Sequence, residues 1–245
     1  MGYAGRTLSG LVRTRTLPAR NDHAIVSFTF DDIPVSAAGA GARILEEAGA
    51  LGTFYVAGGL CGTVDAGVAF ASGDDLVRLS RRGHELGSHT FSHVNVGDLS
   101  GDRLASEIER NQDFIRECVG DVVLTSFAYP FGAASLGSKT YLQSAFATCR
   151  STAAGLNVGR IDLGFLRAER LYETVSTREA IRAQLANAQR KRGWLIYYTH
   201  DVQLSPSPYG VSPDLFEFAV TTAKDMGLEM LPVSNALGRV AFERD

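Results

Sequence analysis

Two adjacent carboxylates, Asp31 and Asp32, close the run Ile25-Val26-Ser27-Phe28-Thr29-Phe30. Apolar, β-branched and aromatic residues in such a run read as a buried strand. Two ionised acids at its end repel each other unless something compensates them. A cation does so directly, with one acid as ligand and the other free for proton transfer. The same pair also suits the N-cap of a following helix. A second signal is HTFSH, which puts His89 and His93 four residues apart. One turn of helix brings both imidazoles to one face. That spacing suits a divalent metal, although HxxxH by itself is as compatible with structural histidines. With Asp32 the pair makes a two-histidine, one-carboxylate set that leaves positions open for water and substrate. A third histidine, His200, ends the apolar run WLIYYT.

These residues need elements to position them, and the chain alternates regularly. Helical patterning covers residues 36–49, 72–82, 98–119, 138–145, 176–192 and 213–226, with a closing helix near 234–240. Short strands fall at 25–30, 52–56, 84–88, 125–129, 146–150, 164–171, 194–199 and 228–231, and 153–159 is a loop rich in Gly and Asn. About eight strand–helix alternations without a linker or repeat predict an α/β fold built on a parallel sheet. Such folds carry their sites at the carboxyl ends of strands. Asp31 and Asp32, His89, Pro130-Phe131-Gly132 and His200 all lie at such ends.

At 245 residues, 45% hydrophobic and 21% charged, the chain suits one large domain with a sizeable core. We expect residues 1–23 to form an extended lead-in and 24–245 a single catalytic domain. A net charge of -3 gives no electrostatic argument for nucleic acid or an anionic membrane. Three cysteines form no CxxC pair, which fits reduced thiols. The opening residues lack the apolar block of a secretory signal, and no stretch reaches the roughly 20 residues of a membrane span. The expected location is cytoplasmic. Oligomeric state is not legible.

At this point the sequence resembles a family. TFDD (29–32), HTFSH (89–93), YPFG (129–132) and YYTHD (197–201) look like successive motifs of the NodB-homology polysaccharide deacetylases, the family-4 carbohydrate esterases. The motifs occur in the family's order over residues 24–201, and 213–233 look like its last helix and strand. The resemblance implies a distorted (β/α) barrel of about seven to eight mostly parallel strands. It implies metal-dependent removal of acetyl from an N-acetylated saccharide. Asp32, His89 and His93 would then bind a divalent metal, commonly Zn2+. Asp31 would be the general base, His200 the general acid, and the backbone N–H of Phe131 an oxyanion donor.

The chain departs from the pattern in places. The third motif often begins with an arginine that orients the base, and Ala128 occupies that position here. Arg170 is the candidate substitute, although a surface or salt-bridge arginine is an equal reading. Tyr129 and Phe131 suit an aromatic wall for a sugar ring, or else core packing. The first motif usually has Gly after its acids, where this chain has Ile33-Pro34. Proline predicts an extended Ile33 and a differently shaped loop. Trp194 is expected in the barrel core and Asp201 as a cap of the next turn. Beside the saccharide deacetylase, two readings remain: a hydrolase of another carbon–nitrogen bond in a small amide or ureide, and a non-catalytic saccharide-binding homologue. The donor set would also fit a ferrous oxygenase, but Asp31, His200 and the parallel alternation argue against that.

Overall fold

The apolar run that ends in Asp31 is the central strand of the protein. The structure, a computed structural model, describes residues 12–19, 21–65 and 67–241. In chain order the strands are β1 (Thr16–Ala19), β2 (Ile25–Asp31), β3 (Thr53–Val56), β4 (Val64–Asp65), β5 (Val68–Ala69), β6 (Glu85–Ser88), β7 (Ser126–Ala128), β8 (Thr148–Arg150), β9 (Gly159–Asp162), β10 (Glu169–Arg170), β11 (Trp194–Thr199) and β12 (Glu229–Met230). Eight of them form one sheet in the order β10-β11-β2-β3-β6-β7-β8, with β12 beside the start of β2. Every pairing within it is parallel. Parallel neighbours need covered crossovers, and helices Ala42–Glu47, Gly73–Arg81, Gly101–Val119, Leu136–Ala145, Arg178–Lys191 and Pro213–Asp225 supply them.

The sheet curls into the expected distorted barrel. Its gap is narrowed by the segment after β9: Leu166 bridges Arg150 in parallel register, and Glu169–Arg170 then joins β11. The strand expected over 164–171 is therefore only these two short contacts, because the segment serves both edges in turn.

Alternation along the strands sorts two cores. Val26, Phe28 and Phe30 of β2 point outward with Leu195 and Tyr197 of β11, beneath helical residues such as Phe216. Ile25 points inward with Trp194, Ile196 and Tyr198, and Val233, Ala236 and Val240 of the last helix (Val233–Ala241) close that interior. Trp194 is fully buried, as expected, and donates from Nε1 to Ser27 Oγ at 3.0 Å. By the same period-two rule Asp31 shares the inward face of Ile25, Ser27 and Thr29.

The helices follow local signals. Ser72 and Asp75 form the capping box that their spacing predicts. Helix Gly101–Val119 buries Leu104, Ile108 and Ile115 and also Asn111. That amide accepts from Gly58 N at 2.8 Å and donates to Val56 O and Ser88 Oγ, tying the ends of β3 and β6 together. Of the lead-in, residues 1–11 lie outside the described residues. Thr16–Ala19, within the expected extended lead-in, pairs antiparallel with β9, which starts at the end of the expected loop 153–159 and precedes the expected strand 164–171. Among the described residues no helix is long and apolar enough to cross a membrane.

Candidate metal centre and active site

At the end of β2 the chain turns sharply, and Ile33 N donates back to Asp31 O at 2.6 Å around a left-handed Asp32 (φ 60°). The turn splits the two acids. Asp31 stays on the inward face, 4% exposed, while Asp32 projects toward three histidines. Its Oδ1 lies 3.3 Å from His93 Nε2 and 3.6 Å from His89 Nε2, and its Oδ2 lies 3.8 Å from His200 Nε2. Donor atoms of Asp32, His89 and His93 all fall within 4.8 Å of one another.

His89 leaves β6 with its backbone N–H on Val56 O at 2.9 Å. Its ring Nδ1 meets Ala128 O at 2.8 Å. A carbonyl can only accept, so Nδ1 carries the proton and Nε2 offers its lone pair to the site. HTFSH does not form the helical turn that its spacing suggests. It is a loop with Thr90 and His93 at φ 60° and 49°, closed by Val94 N donating to Thr90 Oγ1 at 3.2 Å. Five of the six non-glycine residues with left-handed φ among the described residues sit at this site: Asp32, Ile33, Thr90, His93 and Phe131. Each such conformation costs on the order of 1 kcal/mol or more, and strain of this kind gathers where function needs a fixed geometry. Ile33 was expected to be extended before Pro34. The tight turn at Asp32 overrides that preference, and the fully buried Ile33 side chain holds the strained residue in place.

Asp32 Oδ1 is buried and accepts no hydrogen bond. Burial pushes the Asp32 carboxyl up to about 6, with Asp31 adding to the rise and His200 opposing it. Burial drives His89 down to about 3 and also lowers His93, so both imidazoles are neutral lone-pair donors at physiological pH. An unsatisfied carboxylate oxygen between two neutral imidazole nitrogens fits a divalent cation.

Asp31 is held differently. Burial raises its carboxyl, but the Arg150 guanidinium, with His89 and His200, outweighs that and keeps it below the usual carboxylate range. Arg150 Nη2 donates to Asp31 Oδ1 at 2.5 Å. The fully buried guanidinium lies 5.2 Å from the Tyr55 ring centroid and 4.9 Å from that of Tyr198. This corrects the expectation for Arg170, which is exposed at the end of β10 and lines a separate surface cavity with Thr152 and Gln184. The arginine beside the acid comes from β8, one strand over from the position that Ala128 occupies on β7. Its signal was present in the sequence, since the predicted strand 146–150 ends on it.

Tyr129 is 1% exposed, and its hydroxyl donates to Gly164 O at 2.9 Å. It therefore belongs to the core and cannot wall a sugar site. Phe131 is 54% exposed, its ring centroid 4.6 Å from that of His93. On the opposite side, His200 directs Nδ1 at Tyr209 O (3.3 Å), which turns Nε2 toward Asp32. Asp201 does shape the following turn, accepting from Ser207 N at 2.8 Å and from Gln203 Nε2 at 3.0 Å. Of the residues singled out in the sequence, Asp31, Asp32, His89, His93 and His200 thus converge with Phe131 at the rim, while Tyr129 and Arg170 stand apart.

A family model described as polysaccharide deacetylase matches residues 19–148. The chain belongs to the polysaccharide deacetylase family. It is 30% identical over 110 residues to a chitin deacetylase of Arthroderma benhamiae, covering 45% of this chain and 28% of that protein. To a chitooligosaccharide deacetylase of Azorhizobium caulinodans it is 32% identical over 113 residues, covering 44% of this chain and 48% of that protein. The chain thus spans under half the length of each of these curated relatives. Its fold matches the chitin deacetylase from the fungal pathogen Colletotrichum lindemuthianum with a TM-score of 0.65 at 20% identity, over 93% of this chain and 92% of that one. At that identity the likeness is one of fold, and it agrees with the curled, mostly parallel sheet of this deacetylase-family chain.

Proposed function

We propose that the chain hydrolyses the acetamide of an N-acetylated saccharide, releasing acetate and leaving the amine on the sugar. The observation that carries this reading is the orphaned Asp32 Oδ1 set between two imidazole nitrogens, with Asp31 and His200 nearby. The matches to chitin and chitooligosaccharide deacetylases support N-acetylglucosamine units as substrate.

Asp32, His89 and His93 would hold the divalent ion, and their N2O donor set suits Zn2+. When bound, such an ion polarises the acetamide carbonyl and acidifies water. Arg150 occupies Asp31 Oδ1 and keeps the carboxyl ionised, which leaves Oδ2 to take the proton of the attacking water. The N–H of Phe131, a residue in a left-handed turn whose ring lies against His93, would donate to the developing oxyanion. His200 acts as the imidazolium: Nδ1–H is held on the Tyr209 carbonyl, and the second proton, on Nε2, passes to the departing amine.

The test is acetate release by purified protein from chitooligosaccharides, run beside a panel of small amides and ureides. Stoichiometric acetate from the saccharides is expected. Turnover confined to the small amides or ureides would replace this reading with hydrolysis of another carbon–nitrogen bond.

A further inference from the structure

The general acid of this proposed reaction meets the leaving amine, and in an N-acetylated sugar that amine remains bonded to the pyranose ring. The ring must therefore lie within a few ångströms of His200 during the reaction. Two aromatic rings flank His200. Tyr172 is 8% exposed and packs on Tyr198, so it is committed to the interior. Tyr209 is 60% exposed, with its centroid 5.5 Å from that of His200 and 6.0 Å from that of Tyr172. Its ring therefore presents an open aromatic surface directly beside the proposed acid, where the sugar must lie.

The loop that presents Tyr209 is built rather than loose. Asp201, 1% exposed, accepts from Ser207 N, from Ser207 Oγ at 2.5 Å and from Gln203 Nε2. Ser207 Oγ in turn accepts from Tyr209 N at 3.2 Å, and Val211 N donates to Asp201 O at 2.9 Å. Gly210 is needed there, since a Cβ would meet Asp201 Oδ1 at 2.2 Å. The Tyr209 carbonyl accepts from His200 N at 3.1 Å and faces His200 Nδ1. Backbone and side chain of one residue thus serve the acid and the space beside it.

We propose that Tyr209 is a saccharide subsite: its exposed ring stacks on the apolar C–H face of the pyranose that carries the reacting acetamide. This rests on the deacetylase reading and adds the place where the sugar sits. It predicts selection for pyranosides over acyclic acetamides through binding rather than through the chemical step.

The test compares wild type, Tyr209→Ala and Tyr209→Phe on N,N′,N″-triacetylchitotriose, by acetate release and by saturation-transfer NMR of the bound sugar. With the ring removed, KM rises about tenfold while kcat falls less than about threefold, and saturation transfer from tyrosine protons drops. Tyr209→Phe keeps the ring and restores KM to within about twofold. Unchanged KM and NMR contact in Tyr209→Ala overturn the subsite, as does a loss confined to kcat, which would assign Tyr209 to positioning His200. A phenylalanine variant as poor as the alanine one also overturns it, because the hydroxyl would then be the recognising group. If wild type releases no acetate but binds the sugar through Tyr209, the deacetylase reading falls and the subsite stands. If it neither releases acetate nor binds, both fall.

Discussion

Removing Arg150 isolates the contact that holds the proposed base. In Arg150→Met the volume is nearly kept while the guanidinium on Asp31 is lost. Asp31 is 4% exposed, so the remaining carboxylate is a buried charge without its main counter-ion. Deleting one partner of such a pair costs about 3–5 kcal/mol, which for a chain of this size is a fall in Tm of roughly 10 °C. The pH dependence gives the sharper signature. In the native chain the Asp31 carboxyl lies below its ordinary value, so its contribution to stability is present above the unfolded pKa of about 3.9 and fades as pH falls. Without Arg150 the largest remaining influence is burial, which raises it, so the variant is penalised most at neutral pH and least in acid. Circular-dichroism melts from pH 4 to 8 should show the gap between wild type and variant narrowing toward the acid end. The acid limb of the pH–rate profile should move upward and kcat fall at least about a hundredfold. Arg170→Ala is the control and should change neither. Equal melting curves and an unmoved acid limb in Arg150→Met would refute the assignment.

Three further outcomes follow from the same geometry. Asp31→Asn should lose at least about a hundredfold in kcat while elemental analysis finds metal undiminished; intact turnover would remove Asp31 from the role of base. His89→Ala should lower bound metal as well as rate, and full metal stoichiometry in that variant would show the ligands to be others. Metal affinity should be flat well above pH 6 and fall at least about tenfold per unit below it, because Asp32, pushed up to about 6, must lose its proton to bind, whereas His89 is held down to about 3. A metal-buffered titration showing constant affinity from pH 5 to 8 would contradict this.

Much of the site was legible because a parallel sheet delivers the ends of its strands to one rim. Asp31, Asp32 and His200 each follow an apolar run and His89 follows the short strand Glu85–Ser88, and the topology brings these ends together. What was not legible was local geometry. Four-residue spacing pointed to a helical turn at His89–His93, yet left-handed Thr90 and His93, neither marked by glycine, carry the chain around instead. Proline argued for an extended Ile33, but the turn that separates the two acids demanded otherwise. Arg150 is not marked by the motif around Ala128 on β7; β8 lies next to β7, and an arginine at its end reaches the same interior. Tyr129 looked as suited to a sugar wall as Phe131, and only the packing separates a core tyrosine from a phenylalanine at the rim.

The most direct test of the account is metal removal and return on wild type, with acetate release from triacetylchitotriose as readout. Chelation should abolish release, and about one equivalent of Zn2+ per chain should restore it in wild type but not in His89→Ala. Undiminished acetate release from chelated, metal-free protein would contradict the proposed site at its centre.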